Sequence, residues 1–338
     1  MREPAFWQSS TAISTALMRP LGSLYQRLGR WRRQITSPQT LSAPVICIGN
    51  VTVGGSGKTP VVDFLSDWLK AQNKNPAILS RGCKGSLTGP IHVDLSQHDA
   101  KMVGDEPLML ASRHNVFTGA DRYQTGQLAI HEGFDILIKD DGFQNPKVAH
   151  DLNVIVVDGQ TGFGNGCVFP AGPLREPWSD ALIRASAIVL IGEPSHPSLR
   201  LFLKATETGN IPIIQGEIET GKIDFKATTP LFAYCGLAKP EKFMSSLNAA
   251  GLNVVDQALF SDHHFFSEAD AKHILAETKK LGAVPITTEK DFARLAGAQK
   301  DTYRGQLAKA SELLTIKLRL KNKASLTKII KPVLTRET

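Results

Sequence analysis

The stretch 46-ICIGNVTVGGSGKTPVVDFL-65 decides how this chain reads. An apolar run ends at Gly49, a glycine-rich turn follows, and Gly57-Lys58-Thr59 opens a segment whose Val61, Val62, Phe64 and Leu65 suit a helix. Strand, turn and helix in that order form a phosphate cradle. Successive backbone N–H groups wrap a β-phosphate, the lysine reaches the β/γ oxygens, and the hydroxyl ligates Mg²⁺ at the helix amino terminus. The P-loop pattern G-x-x-x-x-G-K-[ST] is intact at its last three positions, while Thr52 stands where the first glycine belongs. Gly54 and Gly55 make that departure tolerable by adding flexibility nearby. Gly54, Gly55, Ser56, Gly57, Lys58 and Thr59 are therefore the expected contacts to a nucleoside triphosphate.

Magnesium needs a further carboxylate, and 134-FDILIKDDGFQ-144 offers two where a buried strand runs out. Asp140 and Asp141 are the candidates, and the sequence leaves open which faces the metal. A local reading, two acids capping the turn before Gly142, competes with this one.

Around the cradle, short Val- and Ile-rich runs recur at 45–49, 76–80, 115–119, 134–142, 153–159 and 187–192. Near-continuous apolar runs suit strands buried on both faces, which predicts a mostly parallel sheet wrapped by helices. Ligands then gather beyond the carboxyl ends of the strands. Residues 211–230 alternate, carry turn formers and lack a helical pattern, so an extended linker is expected there. Three further strand-turn-helix units, beginning at 231, 252 and 284, predict a second, smaller α/β domain. The alternating segment 313–320 is expected to return and pair with the linker strand. The division is thus a P-loop domain over 36–210, a linker over 211–230, a small domain over 231–311, and a returning strand with a basic tail over 312–338.

The chain has 338 residues and a net charge of +7, which favours anionic partners in general. Six arginines face one acid, Glu3, between residues 1 and 57, and six cations with no acid occupy Lys317 to Lys331. The four cysteines lie far apart, with no pair at metal-ligand or redox spacing, and suit a reduced compartment. No apolar stretch is long enough to span a bilayer. Residues 1–35 instead interleave Phe6, Trp7, Ile13, Leu17, Leu21, Leu24, Tyr25, Leu28 and Trp31 with arginines, and Pro20 and Gly22 are expected to divide them into two helical pieces. An interfacial helix on anionic lipid is the preferred reading. The alternative is a helix packed on the protein's own core with a basic outer face. No aromatic stacking platform supports nucleic-acid binding.

A kinase acting on a hydroxyl benefits from a carboxylate that accepts its proton. Asp105 and Glu106 lie in a turn before an apolar helix, where Asp105 reads equally as a helix cap. The pair His263-His264 follows a small-domain strand, and Arg81, Arg122 and Arg175 follow strand ends or sit in Gly/Pro-rich turns, where cations steady phosphate oxygens. A nucleotide-dependent switch or partition-type ATPase is the competing class. It fits less well, because 73-NKNP-76 lacks the acid of a guanine-reading segment and Val53 stands where partition ATPases carry a lysine.

Together, 49-GNVTVGGSGKTP-60, 79-LSRGCKG-85, 103-VGDEP-107, 119-GADR-122, 138-IKDDGFQ-144, 169-FPAGPLREP-177, 235-CGLAKPEKF-243, 261-SDHHFF-266 and 287-TTEKD-291 resemble the tetraacyldisaccharide 4'-kinases, the lipid A disaccharide kinases of Gram-negative bacteria. The resemblance spans nearly the whole chain, with a mild departure at Cys83, where the family more often has an aromatic residue. It implies a P-loop domain and a smaller α/β domain joined by a two-stranded linker, placed at the cytoplasmic face of the inner membrane as a peripheral or monotopic protein. It implies transfer of the ATP γ-phosphoryl group to the 4'-hydroxyl of tetraacyldisaccharide 1-phosphate, the lipid A precursor; no obligate protein partner is evident in the sequence. On this resemblance Lys58 and Thr59 hold phosphates and Mg²⁺, Asp140 and Asp141 belong to the metal-binding strand end, and Asp105 is the catalytic carboxylate with His263 as its partner across the cleft. Arg81, Glu106, Arg122, Gln144, Arg175 and Glu176 are implied near substrate or phosphate.

Overall fold

The computed structural model describes residues 4–9, 12–221, 226 and 228–335. Parts of the expected amino-terminal segment (1–3, 10 and 11), of the linker (222–225 and 227) and of the tail (336–338) lie outside the described residues.

The Val- and Ile-rich runs become strands β1 (Val45–Gly49), β2 (Pro76–Ser80), β4 (Asn115–Thr118), β5 (Ile136–Asp140), β6 (Leu152–Asp158) and β7 (Ala187–Ile191), with a short β3 (Ile91–His92) between the second and third of them. β8 (Ile213–Thr220) and β13 (Ile316–Leu320) complete a nine-stranded sheet in the order β13-β8-β7-β6-β1-β5-β2-β4-β3. Seven of these strands run parallel, and β3 and β13 are antiparallel edges. β1 sits centrally, paired to β5 on one side and β6 on the other, and its neighbours lie far from it in sequence. Such a reversal of strand order opens a crevice at the carboxyl ends. The β1 turn, the end of β5 and the end of β6 all face into it.

Burial explains why these segments are strands. All five residues of β1, β2, β5 and β7 are buried, and helices cover both faces of the sheet. The helix Lys58–Ala71 lays Val61, Val62, Leu65 and Leu69 against Ile46, Ile48 and Ile78.

The small domain carries a parallel sheet, β10-β9-β11-β12, built from β9 (Leu231–Cys235), β10 (Val254–Leu259), β11 (Val284–Thr288) and β12 (Glu312–Leu314). The alternating segment near 313–320 is thus two strands. Glu312–Leu314 closes the small sheet beside β11, and Ile316–Leu320 returns to pair antiparallel with β8. The two linker strands are themselves the edge of the large sheet, because β8 also pairs with β7.

The basic tail, whose form the sequence left open, is a helix, Lys323–Leu334, that buries Leu326, Ile330 and Val333 in the main core while Lys323, Lys328 and Lys331 face solvent. Its cations sit on the outer face of an amphipathic element. One expectation needs correcting: the amino-terminal segment is not split at Pro20 and Gly22, and one helix, Ile13–Ile35, runs through both. Gly22 serves close packing, since a Cβ there would stand 2.8 Å from the Val168 carbonyl oxygen. The short helical turn Ala5–Gln8 precedes it, held by Trp7 Nε1 donating to the Pro170 carbonyl at 3.0 Å.

That long helix is inside out by the usual standard. Thr15 and Gly22 face the protein, whereas Ile13, Leu17, Leu21, Leu24, Leu28, Trp31 and Ile35 form one exposed stripe, with Ile13 at 80% and Leu17 at 70% exposure. Its carboxyl end is held by Arg30 to Asp180 at 2.7 Å and Arg33 to Glu176 at 3.3 Å. Among the described residues no helix is long and apolar enough to cross a membrane.

Candidate active site

The strand and helix expected on either side of the cradle form, and the missing first glycine has a physical explanation. Thr52 forms an isolated bridge to Leu174 and is not among the residues with positive φ, so a side chain is tolerated there. The left-handed backbone falls instead on Gly54, φ 106°, and Gly57, φ 82°. At Gly57 a Cβ would also meet Ile191 Cδ1 at 2.5 Å. The turn therefore delivers Lys58 and Thr59 to the amino terminus of a 14-residue helix, where backbone N–H groups and the helix dipole favour an anion.

β5 pairs with β1 so that Asp140 stands opposite Ile48, beside the root of the cradle. Asp140 is buried, and its Oδ1 has no hydrogen-bond partner. Burial, with the negative charges of Glu106 and Asp141, pushes its carboxyl up to about 7. Asp141 turns the other way on a left-handed backbone, φ 48°. It receives Arg175 Nη1 at 2.8 Å and has Lys58 Nζ at 3.4 Å. Burial opposes its charge, but Lys58 and Arg175 outweigh that and hold it below the usual carboxylate value. The two acids thus differ: one is bound into a cation network, and the other is a buried oxygen in want of a cation.

Asp105 is the first residue of the short helix Asp105–Ala111, and Gly104, φ 93°, is the residue that caps it. The capping position is therefore not its own. Its Oδ1 accepts the Glu106 N–H at 2.9 Å, while its Oδ2 faces the small domain and accepts from His263 Nδ1 at 2.8 Å. Arg294, which sequence reasoning missed, donates to the same Oδ2 from Nε at 2.9 Å and Nη2 at 2.7 Å. Burial raises the Asp105 carboxyl, but the His263 hydrogen bond and the Lys290 and Arg294 charges outweigh it and hold the group well below the carboxylate range. Glu106 pairs with Lys290 at 2.8 Å, and Arg113 with Glu289 at 2.7 Å, so the domain boundary here is a row of ion pairs. At the other rim Lys242 of the small domain bonds Asp158 at the end of β6. Between the rims lies a cavity of about 1140 Å³ lined by Gly57, Thr59, Asp158, Ile191, Lys242 and Lys290 among others.

The remaining expected residues divide into two groups. Arg122 is buried at the start of the helix Arg122–His131, donates to the Gly119 carbonyl at 2.5 Å, and leaves its Nε without a partner. Burial pulls its guanidinium down to about 10 against the attraction of Asp140. Arg81 is exposed at the end of β2. Gln144 and Glu176 belong to a brace under the cradle. Gln144 Nε2 donates to the Asn50 carbonyl at 2.8 Å and to Glu176 Oε1 at 3.1 Å, while Glu176 Oε2 takes Arg184 at 2.5 Å and Arg33 at 3.3 Å. Both oxygens of Glu176 are thus committed to the protein. The resemblance implied Glu176 near substrate or phosphate; here its carboxylate braces Gln144, Arg184 and Arg33.

A P-loop at the central strand, a buried acid on the neighbouring strand and a carboxylate–histidine pair across a cleft define a P-loop phosphotransferase. The tetraacyldisaccharide-1-P 4'-kinase family profile matches residues 14–335, and the chain belongs to that family. It is 40% identical over 321 residues to the tetraacyldisaccharide 4'-kinase of Parvibaculum lavamentivorans, covering 94% of this chain and 93% of the relative. It is 42% identical over 297 residues to that of Gluconobacter oxydans, covering 87% and 89%. The fold superimposes on the LpxK crystal structure from Aquifex aeolicus, solved in complex with ATP, with a TM-score of 0.77 and 28% identity over 94% of this chain and 99% of that one. The protein is accordingly a kinase that uses ATP.

Proposed function

We propose that this cleft transfers the γ-phosphoryl group of ATP to the 4'-hydroxyl of tetraacyldisaccharide 1-phosphate, with Asp105 as the carboxylate that orients the hydroxyl and accepts its proton. The activity is that of the family; the division of labour among residues is our reading. The observation that carries it is the placement of Asp105. It is a buried acid where the cradle's domain meets the small domain, with Oδ2 held by His263 and Arg294 and Oδ1 carrying a single backbone N–H. His263, which shares its Oδ2, orients the carboxylate. Lys58, at the helix amino terminus, meets the charge that develops on the transferring phosphoryl oxygens. Arg122 and Arg175 flank Asp140 and Asp141, where phosphate oxygens arrive, and Arg81 adds positive charge at the neighbouring strand end.

The residues fit Mg²⁺. The partnerless Asp140 Oδ1 and the Thr59 hydroxyl are hard oxygen donors beside the phosphate site. Among the described residues no three His, Cys, Asp or Glu side chains gather to hold a metal alone. That suits an ion that takes the rest of its shell from phosphates and water. Bound there, Mg²⁺ would supply charge neutralisation at the phosphates; Asp140 is the direct protein ligand in this reading, and Asp141 steadies Lys58 and Arg175.

The exposed apolar stripe of the helix Ile13–Ile35 rests on an anionic membrane surface, with Arg19, Arg27 and Arg32 exposed beside it. This supports a peripheral placement at the cytoplasmic face of the inner membrane, where an acylated substrate presents its sugar head to the cleft. The test of the reaction is the phosphate balance of the lipid: mass gain at the 4'-hydroxyl supports it, and ATP hydrolysis without an acceptor would favour a nucleotide switch.

A further inference from the structure

Arg294 lies on the small domain, 3% exposed, and its guanidinium is committed on two sides. One edge, Nε and Nη2, meets Asp105 Oδ2 of the large domain. Its Nη1 donates to Asp291 Oδ1 at 2.5 Å and to the Gly236 carbonyl at 2.9 Å. Asp291, fully buried, is itself fixed by the Gly236 N–H at 2.9 Å and the Thr288 hydroxyl at 2.7 Å. Gly236 closes the circuit, because its carbonyl also accepts the His263 N–H at 3.0 Å. A Cβ at Gly236 would stand 3.0 Å from Arg294 Nη1, His264 Cβ and the Ser261 carbonyl, so a side chain there would crowd this frame. One buried frame, Asp291–Arg294–Gly236, therefore holds both the backbone of His263 and the carboxylate it meets.

We propose that Arg294 is a positioning residue for the kinase reaction, seating the Asp105 carboxylate for proton acceptance only when the small domain is closed onto the large one. The inference rests on the reading of Asp105 as the proton acceptor. A carboxylate oxygen offers two lone-pair directions, and Oδ2 already receives three donors, two from Arg294 and one from His263. Oδ1 carries the Glu106 N–H alone, so it is the oxygen with capacity for the substrate hydroxyl. Arginine suits this task where lysine does not, because its rigid guanidinium brings two N–H groups to Oδ2 while Nη1 stays anchored to Asp291 and Gly236. Because Arg294 and His263 arrive with one domain and Asp105 with the other, opening the cleft removes both the orientation and the charge. The charged groups facing Asp105 from the small domain are His263, Lys290 and Arg294, and Glu106 adjoins it on its own helix.

The test compares Arg294→Gln, Arg294→Lys and Asp105→Asn in phosphoryl transfer to tetraacyldisaccharide 1-phosphate in detergent, with kcat and the ATP KM measured across pH. Arg294→Gln is expected to lower kcat by about 10- to 100-fold, the scale of a small misplacement of a reacting group. Its ATP KM should hold within about twofold, since the cradle is untouched, and the acidic limb of its profile should move up by about one unit or more as the carboxylate loses its cation. Arg294→Lys should keep the acidic limb near its wild-type position while recovering only part of the rate. Wild-type kcat with an unshifted limb in Arg294→Gln, beside an inactive Asp105→Asn, would overturn the inference alone. So would a rate loss equal at every pH, which is what a purely structural ion pair produces. Full activity in Asp105→Asn would overturn the underlying base assignment as well. If Arg294→Gln fails to fold because Asp291 is left buried and unpaired, Asp291→Asn/Arg294→Gln removes that charge and gives the same readout.

Discussion

His263 on the small domain and Asp105 on the large one meet at 2.8 Å, Nδ1 to Oδ2, across 158 residues of sequence. Neither domain contains the pair alone, so it exists only where the two domains meet. Arg294 and Lys290 come from the same side as His263, and their charges act on a carboxylate that burial alone would neutralise.

This has a consequence for stability. A carboxylate held below its unfolded value of about 3.9 contributes stability that is fully present above that pH and is lost as pH falls through the folded value. Asp105→Asn should therefore cost about 3 kcal/mol near neutral pH, the scale for removing one partner of a buried pair. The gap from wild type should narrow as pH drops below about 4, where the carboxylate of the unfolded chain begins to protonate while the folded one stays charged. Denaturant unfolding of both proteins across that range checks it. A gap that stays constant with pH would show that the charge is not the source.

Asp140→Asn tests the metal assignment. Replacing the buried oxygen donor with an amide should raise the Mg²⁺ concentration for half-maximal activity by more than about tenfold, the lower end of what even outer-shell losses cause at metal sites. Asp141→Asn, by contrast, should chiefly disturb Lys58 and Arg175 and leave the Mg²⁺ requirement closer to wild type. Equal shifts in the two Mg²⁺ titrations would reverse the division drawn between the two acids.

The exposed stripe predicts how the protein finds lipid. Leu17→Asp/Leu24→Asp/Leu28→Asp should weaken sedimentation with anionic vesicles by roughly 100-fold or more, given about 1.5–3 kcal/mol for each leucine fully withdrawn from water. Unfolding should be little changed, because these side chains are exposed in the folded protein. Equal association of the triple variant and wild type would reject the helix as the anchor.

The carboxyl-terminal helix predicts the opposite pattern. Ile330→Ala should destabilise the large domain by about 2–4 kcal/mol, because Ile330 is fully buried in its core. Lys328→Ala should fall within about 0.5 kcal/mol of wild type, as exposed positions do. Thermal or denaturant unfolding distinguishes the two, and a silent Ile330→Ala would contradict the packing of this helix.

What the sequence disclosed follows from where the information resides. Strands buried on both faces must be apolar throughout, so β1, β2 and β5 to β7 were legible within a residue or two. The cradle was legible because its chemistry needs contiguous residues. Local chemistry misled at Pro20, which suggested a break where the helix Ile13–Ile35 continues, and at Gly22, whose role is contact with the Val168 carbonyl. Arg294 was invisible for a different reason. Its partner Asp105 is 189 residues away, and only the Asp291–Arg294 spacing of three on a capped helical turn hinted that the TTEKD segment extends into a charge frame. Glu176 shows the converse: the resemblance placed it with Arg175 near substrate or phosphate, yet it is tied to Arg184 and Arg33 while Arg175 reaches Asp141, and the two meet only through Gln144.

The most direct test of the central claim is phosphoryl transfer by Asp105→Asn at saturating ATP, Mg²⁺ and tetraacyldisaccharide 1-phosphate in detergent. Product is followed by mass spectrometry and its position assigned by NMR. The wild-type protein should place a phosphate on the 4'-hydroxyl, and turnover should fall by about 10²- to 10⁴-fold in a folded Asp105→Asn variant. Undiminished turnover by that variant would contradict it.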